Sequence, residues 1–412
     1  MRRVVVTGLG IVSPLGHNAH DTWEAIKAGR SGIGPITLYD AAGHNVQIAA
    51  EVKDWKPEAY MSAKDARRRD RYQQFIVKAA QEAIAQSTFS VDKDRPERSS
   101  VIIGSAVGGV TSYFNEVSML LETGDIRRIT PFGIPMLMVN GGSDIVSIDT
   151  GAMGPSYVPV SACATGADCI GHAFDLIRMG RVDQALAGAG EAPIFPMGVA
   201  AFDRVGAVSR LNDDPPTASR PFDRNRAGLV FGEGAGVLVL EELEHARARG
   251  ANILAEIVGY GVTSDAFHMT APHPDGLGAS LALEQALRDA RLSPQDIHYI
   301  NAHGTATDLN DPMETRAVKR VFGEHAYNVP MSSTKSMTGH CMGATGAMEA
   351  AFAVLALRDQ VVPPTCHLSE PDPECDLDYV PNEARRVKMR NVMSNAFGFG
   401  GHNVSLIFSA FE

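Results

Sequence analysis

Short runs of consecutive apolar residues, each ended by glycine or other small residues, alternate along the chain with stretches in which apolar residues recur at helical spacing. Residues 3–7 read as a buried strand closed by Gly8-Leu9-Gly10, and 101–104, 184–190 and 234–241 read as further strands. Such strands, apolar without alternation, suit a sheet covered on both faces. Residues 65–85 predict one amphipathic helix, with Tyr72, Phe75, Ile76, Ala79, Ala80, Ala83 and Ile84 on a single stripe. The run 157–160 stops at Ser161-Ala162-Cys163-Ala164-Thr165-Gly166. Helical spacing then resumes at Ala167, Ile170, Phe174 and Ile177, and 242–250 read as a charged helical end.

After about residue 251 the pattern restarts. Residues 256–261 echo the opening strand and its glycine stop, and a helix with Leu283, Ala286, Leu287 and Ala290 on one face comes next. Strands at 298–301 and 328–332, a helix bearing Met348, Phe352 and Leu355, and strands at 391–395 and 404–408 complete the chain. The order strand, glycine turn, helix, strand thus occurs twice, which predicts two related α/β halves, residues 1–250 and 251–412, packed around one another. Ligands in such folds gather beyond strand ends. Cys163, His303, His340 and Phe399 each fall just past a predicted strand.

Composition narrows the function classes. The 412 residues are 44% hydrophobic and 21% charged, values of a globular protein with a large core. The formal charge is −11, so the molecule as a whole is not built to hold nucleic acid. No apolar run reaches a membrane span, and Met1-Arg2-Arg3 leads into Val4-Val5-Val6 without the regions of a signal peptide. The five cysteines are scattered and form no CxxC, so neither a disulfide framework nor a zinc ribbon is suggested, and a reducing, cytoplasmic setting is expected. Gly8-x-Gly10-x-x-Ser13 resembles a dinucleotide fingerprint, but Pro14 stands where that motif needs a helix under way.

A cysteine between a strand and a helix lies near the positive end of a helix dipole, an arrangement that lowers a thiol from about 8.5 towards neutrality. Cys163 therefore reads either as a nucleophile or as a small buried hydrophobe. His303 and His340, each in a Gly/Thr-rich turn, fit proton-managing or electrophile-stabilising groups. They also fit metal ligands, although no carboxylate or second cysteine stands at ligand spacing. Lys335 is either a surface lysine or a buried cation neutralised by a carboxylate such as Glu314. Phe397-Gly398-Phe399-Gly400-Gly401 fits a mobile hydrophobic gate or two core aromatics in a tight turn. The basic runs Lys64, Arg67, Arg68, Arg69 and Arg127, Arg128 read as solvated faces or as a dock for an acidic partner.

Four motifs in order carry a family resemblance: Ser161 to Gly166, Asn301-Ala302-His303-Gly304-Thr305-Ala306-Thr307, Ser333-Thr334-Lys335-Ser336-Met337-Thr338-Gly339-His340, and Asn395 to Gly401, joined by Ser219-Arg220-Pro221-Phe222-Asp223. Over essentially its whole length the sequence resembles the β-ketoacyl-[acyl-carrier-protein] synthases, most nearly the type II condensing enzymes of fatty acid synthesis. The resemblance implies an α/β thiolase-like fold of two βαβαβαββ halves in an αβαβα layering, usually a homodimer. It implies that Cys163 carries an acyl thioester, and that His303 and His340 stabilise the enolate left by decarboxylation of malonyl-acyl carrier protein. The backbone N–H groups of Cys163 and Phe399 would form an oxyanion hole, such donors being worth about 3 kcal/mol each. Lys335 paired with Glu314 would give electrostatic support, and Thr270, Thr305 and Thr307 would line the pantetheine tunnel. Lys64, Arg67, Arg68, Arg69, Arg127 and Arg128 match the family's dock for acidic carrier proteins. No dissociable cofactor and no metal is implied, since phosphopantetheine arrives on the carrier protein.

Three positions depart from common family patterns: Ser161 where Thr is frequent, His402 where many members have Thr, and Gly133 at an often bulky site near the dimer partner. With Val107 and Phe202 at other pocket-lining positions, Gly133 implies a deep pocket for long acyl chains. Two rival readings remain. A catalytically silent chain-length-factor subunit characteristically lacks the cysteine that Cys163 supplies. A condensing enzyme of a polyketide or other specialised pathway would share every catalytic residue.

Overall fold

The computed structural model describes all 412 residues. Nine strands form one mixed sheet: β1 (Val4–Val12), β2 (Ser99–Gly104), β3 (Gln184–Glu191), β4 (Gly234–Glu242), β5 (Ala255–Ser264), β6 (Tyr299–Asn301), β7 (Met331–Ser332), β8 (Asn391–Gly398) and β9 (His402–Ser409). Their order across the sheet is β2-β3-β4-β1-β5-β9-β8-β6-β7. The two halves mirror each other about the antiparallel β1–β5 pair, where Val4 faces Ile257 and Val6 faces Ala255. On either side the next two pairings are antiparallel and the third parallel (β2 with β3, β6 with β8). Even the outer edges match: β7 runs parallel to β6, and a parallel bridge joins Ser156 to Val101 of β2.

Five helices position the site and its supports: α1 (Arg71–Ser87), α2 (Thr165–Arg178), α3 (Leu277–Ala290), α4 (Asn310–Phe322) and α5 (Thr345–Asp359). Helices α2 and α5 lie between the two half-sheets, while α1 covers the outer face of one half and α3 that of the other. The result is the expected αβαβα layering. The middle layer is tight because glycines meet there. A Cβ on Gly166 would lie 2.6 Å from the Ala347 nitrogen, and one on Gly346 would lie 2.8 Å from the Ala167 nitrogen.

The glycines of the opening strand do not close it. β1 runs through Gly8 and Gly10 to Val12, because α1 presses onto the strand at those two points. A Cβ there would sit 2.3 Å from the Ala83 carbonyl oxygen and 2.0 Å from that of Ala79. Gly259 and Gly261 of β5 meet Ala286 and Ala282 of α3 in the same way, at 2.5 and 2.0 Å. The repeated Gly-x-Gly is therefore a helix-docking device, used once in each half.

Two further expectations change. Residues 65–85 are two helices, Ala63–Ala66 and α1. Asp70 interrupts them by accepting the Tyr72 N–H at 3.0 Å while Gln73 accepts the Asp70 N–H at 2.9 Å, a capping box that starts a new helix. Residues 157–160 form no ladder, and Tyr157 and Val160 are exposed. Cys163 thus follows an extended edge segment rather than an internal strand.

Candidate active site

Cys163 sits in a single 3-10 turn, Ala162–Ala164, that feeds directly into α2. Ala162 ahead of it has φ +51°, a left-handed conformation that a residue with a Cβ seldom adopts. The Thr165 hydroxyl ties the turn down, donating to the Ala162 carbonyl at 2.7 Å and accepting the Ser161 N–H at 3.1 Å. The thiol is buried, and burial pushes it up to about 11. The Lys335 charge and the N–H groups of Phe399 and Cys163 pull it back only in part. The thiol thus stands above its ordinary value, where the expectation was a lowered one, and removal from water is the largest cause.

The turn recurs in the second half. Met342–Ala344 is again a 3-10 turn, Met342 has φ +44°, and α5 begins at Thr345. Gly343 stands where the first half has Cys163. Its N–H donates to Glu191 Oε2 at 3.0 Å, so the mirror turn holds a carboxyl oxygen on the donor that corresponds to the Cys163 N–H. On the Cys163 side the residue matching Glu191, at the end of β8, is Gly398. A Cβ there would meet the Ser161 carbonyl at 2.6 Å and the Cys163 nitrogen at 3.1 Å. One half fills that position with a carboxyl oxygen, and the other keeps a glycine there.

His303 follows β6 by two residues. Its backbone N–H and that of Gly304 donate to the two oxygens of Glu314, on α4, at 2.9 and 2.8 Å. The Lys335 ammonium donates to the His303 carbonyl and to Glu349 Oε1 at 2.7 Å. The expected Lys335–Glu314 pair is thus replaced by Lys335–Glu349. The Glu314 carboxyl is taken up by the two backbone donors and the Asn395 amide at 3.3 Å. His340 donates its backbone N–H to the Val230 carbonyl at 2.7 Å, and its Nδ1 lies 3.1 Å from the Thr345 hydroxyl. The two imidazoles meet edge to face with centroids 5.5 Å apart. Burial and the nearby Lys335 charge hold both far below the usual histidine range, so both are neutral at pH 7.

Cys163, His303 and His340 open onto one cavity of about 400 Å³, together with Phe202, Thr270, Thr305, Thr307 and Phe399. Phe399 stacks on Phe202 at 5.6 Å with an interplanar angle of 11°, closing one wall. The Thr305 and Thr307 hydroxyls lie 2.9 Å apart. Val107 and Gly133 do not line this cavity. Val107 is exposed, and Gly133 opens a short half-buried helix, Gly133–Leu137, with only Thr130 within reach of a Cβ. No three His, Cys, Asp or Glu side chains come together as a metal-binding group.

The basic runs converge on one face. Lys64, Arg67 and Arg68 are exposed beside the short helix Ala63–Ala66, and Arg127 and Arg128 are exposed on the turn Ile126–Arg128. Arg68 lies 4.5 Å over the ring of Phe132, which joins the two segments. Arg69 turns aside to Asp149 at 3.4 Å, and Arg127 pairs with Asp125 at 2.9 Å.

Sequence reasoning missed Glu349 and Glu191. Glu349 had a signal, being the lone carboxylate within an otherwise apolar helical stretch, where an unpaired charge is costly. Glu191 closes a strand and carried none.

The chain matches two family models, described as "Beta-ketoacyl synthase, N-terminal domain" over residues 1–246 and "Beta-ketoacyl synthase, C-terminal domain" over residues 254–369. It is 47% identical over 411 residues to a Synechocystis protein named 3-oxoacyl-[acyl-carrier-protein] synthase 2, covering 100% of this chain and 99% of that protein. A Coxiella burnetii protein of the same name is 48% identical over 408 residues, with 99% and 98% covered. A solved structure of a type II PKS acyl-carrier protein in complex with its ketosynthase bound to the hexaketide superposes with a TM-score of 0.92. That match has 33% identity and covers 100% of both chains.

Proposed function

This chain belongs to the β-ketoacyl synthase family, and from that premise we propose that it elongates acyl chains by two carbons in fatty acid biosynthesis. It joins malonyl-acyl carrier protein to an acyl-enzyme thioester and yields 3-oxoacyl-acyl carrier protein. The observation that carries this reading is the placing of Cys163, His303 and His340 around one cavity, with both imidazoles held neutral.

In the first half-reaction the Cys163 sulfur attacks the thioester of an acyl-carrier protein. The carrier's pantetheine thiol leaves with the proton, and the acyl group stays on Cys163. The tetrahedral oxyanion is taken by the N–H groups of Cys163 and Phe399, and the mirror copy of the first, the Gly343 N–H, donates to a Glu191 oxygen. Malonyl-carrier protein then enters along Thr270, Thr305 and Thr307. With the Thr345 hydroxyl donating to Nδ1, His340 carries its proton on Nε2. His340 and His303 donate to the malonyl thioester carbonyl. The bond to the terminal carboxylate breaks, CO₂ departs, and the electron pair becomes an enolate. A neutral imidazole stabilises that oxygen without surrendering a proton to it, and so leaves the carbon nucleophilic. The enolate attacks the acyl carbonyl, a new C–C bond completes the product, and the Cys163 sulfur leaves as a thiolate that takes a proton from water. Lys335 holds the His303 carbonyl from below, with Glu349 as its counter-charge and Glu314 fixing the adjoining peptides.

The acidic carrier protein docks on Lys64, Arg67, Arg68, Arg69, Arg127 and Arg128, and supplies the phosphopantetheine, so no dissociable cofactor or metal is required. Residues 1–250 carry the nucleophile, and 251–412 the histidine pair and gate. A second copy of the chain covers the edge segment with exposed Tyr157 and Val160 and the neighbouring exposed Ile134 and Met138, which leaves Val107 and Gly133 at the shared boundary to admit long acyl chains. No helix is long and apolar enough to cross a membrane, and we place the reaction in the cytoplasm.

Cys163→Ala tests the division of labour. Condensation should vanish while malonyl-carrier protein is still decarboxylated, because the histidine pair is intact. Undiminished condensation overturns the reading. A primer series of graded chain length then separates fatty acid elongation from specialised pathways.

A further inference from the structure

The segment Ser219-Arg220-Pro221-Phe222-Asp223 has no part in the condensation chemistry, yet it is built against the turn that aims His303. Phe222 is fully buried and has φ +65°, a backbone conformation that bulky residues rarely adopt. Its surroundings over-determine it. The Phe222 N–H donates to Asp311 Oδ2 at 2.8 Å, and its ring stacks on Tyr379 at 3.9 Å and 13°. Tyr379 in turn shares a 2.7 Å hydrogen bond with Thr315. Asp223 anchors the far side, accepting the N–H groups of Ser369 and Glu370 at 2.8 Å each.

The free end of the ring points at Gly304. A Cβ on Gly304 would lie 3.1 Å from Phe222 Cζ and 2.5 Å from Ser333 Cβ, and Gly304 itself has φ +39°. The Ser333 hydroxyl donates to the Gly304 carbonyl at 2.6 Å, and the Gly304 N–H is held by Glu314 at 2.8 Å. Polar contacts thus grip the peptide after His303 from two directions, and Phe222 is the apolar wall against the third. The same segment reaches the other support of His303, since the Ser219 hydroxyl donates to the Lys335 carbonyl at 2.9 Å.

We propose that Phe222 is a positioning residue for His303: held in a left-handed conformation, its ring sets the Gly304 turn and thereby the direction of the imidazole. This rests on the reading of His303 as an enolate-stabilising donor. The role is separable from simple core filling, because His303 serves the decarboxylation step and not the transfer of an acyl group to Cys163.

Phe222→Tyr keeps the ring and its stack on Tyr379 but adds an oxygen at the end that faces Gly304. Phe222→Leu withdraws that end and loosens the turn. Two half-reactions are read for each variant and for His303→Ala: release of labelled CO₂ from malonyl-carrier protein, and labelling of Cys163 by acyl-carrier protein. Misplacement of a reacting group by a fraction of an ångström to an ångström costs about ten- to a hundredfold. The expected result is a loss of CO₂ release of at least about tenfold in Phe222→Tyr, a smaller loss in Phe222→Leu, and acylation within about twofold of wild type in both. Should Phe222→Tyr fail to fold, Phe222→Leu decides alone. Unchanged CO₂ release, or equal losses in both half-reactions, overturns the positioning role. Unchanged CO₂ release in His303→Ala as well shows that the donor reading itself is wrong, and the inference falls with it.

Discussion

Glu349→Gln leaves a cation stranded beneath the His303 turn. Lys335 and Glu349 are each 1% exposed, with 2.7 Å between ammonium and carboxylate. Once the carboxylate becomes an amide, the His303 carbonyl is the strongest acceptor left to the ammonium. Removing one member of a buried ion pair costs about 3–5 kcal/mol, because the charge left behind remains out of water. Lys335→Met is the instructive contrast. Burial already lifts the Glu349 carboxyl to about 7, so without its partner it takes up a proton and sheds its charge. The loss is then that of an unsatisfied polar group, about 1–3 kcal/mol. The double variant Lys335→Met/Glu349→Leu replaces both charges with apolar bulk and should cost less than Glu349→Gln alone. Urea unfolding monitored by tryptophan fluorescence reads these differences, since buried Trp23 stacks 6.3 Å from Phe352 on the helix that carries Glu349. Glu349→Gln within about 1 kcal/mol of wild type, or Lys335→Met as the costlier change, refutes the reasoning.

The histidine pair makes a prediction about pH. Because burial and Lys335 hold both imidazoles far below their ordinary 6.5, they stay neutral donors through that range, and single-turnover CO₂ release should show no histidine ionisation there. An inflection near 6.5 that disappears in His303→Asn contradicts this. Glu191 works in the opposite sense. Its carboxyl is pushed from 4.5 to about 7 by burial, against the pull of Ser105, Ala106, Gly343 and Val107, so the folded state binds the proton more tightly than the unfolded chain does. Its contribution to stability is greatest below the ordinary carboxyl value, declines by about 3 kcal/mol as pH rises through that window, and is flat above it. Glu191→Gln should flatten that segment of the denaturation midpoint against pH, and an unchanged slope counts against the assignment. At the basic face, Arg68→Glu with Arg127→Glu should raise KM for carrier-protein substrates about tenfold or more at low salt and spare a small thioester mimic. Equal loss on both substrates removes the docking role.

The placing of the site was legible because it rests on short contiguous motifs. Cys163, His303, His340 and Phe399 each stand in a local sequence whose small neighbours shape one turn, and the turns meet as expected. What misled was information held between distant segments. Gly8 and Gly10 look alike whether they end a strand or admit a helix, and only the approach of Ala79 and Ala83 tells the two apart. The partner of Lys335 depended on which carboxylate was already occupied. Glu314 was taken by two backbone donors, and Glu349, 14 residues from Lys335, was free. For the Cys163 thiol, place at a helix end is visible in the sequence and depth of burial, the largest cause of its raised value, is not. The duplication was visible in the repeated Gly-x-Gly. The Glu191 carboxyl held by the mirror turn needed three dimensions.

The most direct test of the account tracks one acyl group. The protein is incubated with an acyl-carrier protein, the adduct is located by peptide mass spectrometry, and malonyl-carrier protein is then added. The account predicts a single acyl thioester on Cys163 that discharges on addition, releasing one CO₂ per chain and yielding a 3-oxoacyl-carrier protein two carbons longer. An adduct on any other residue, or a Cys163 thioester that malonyl-carrier protein fails to discharge, contradicts it.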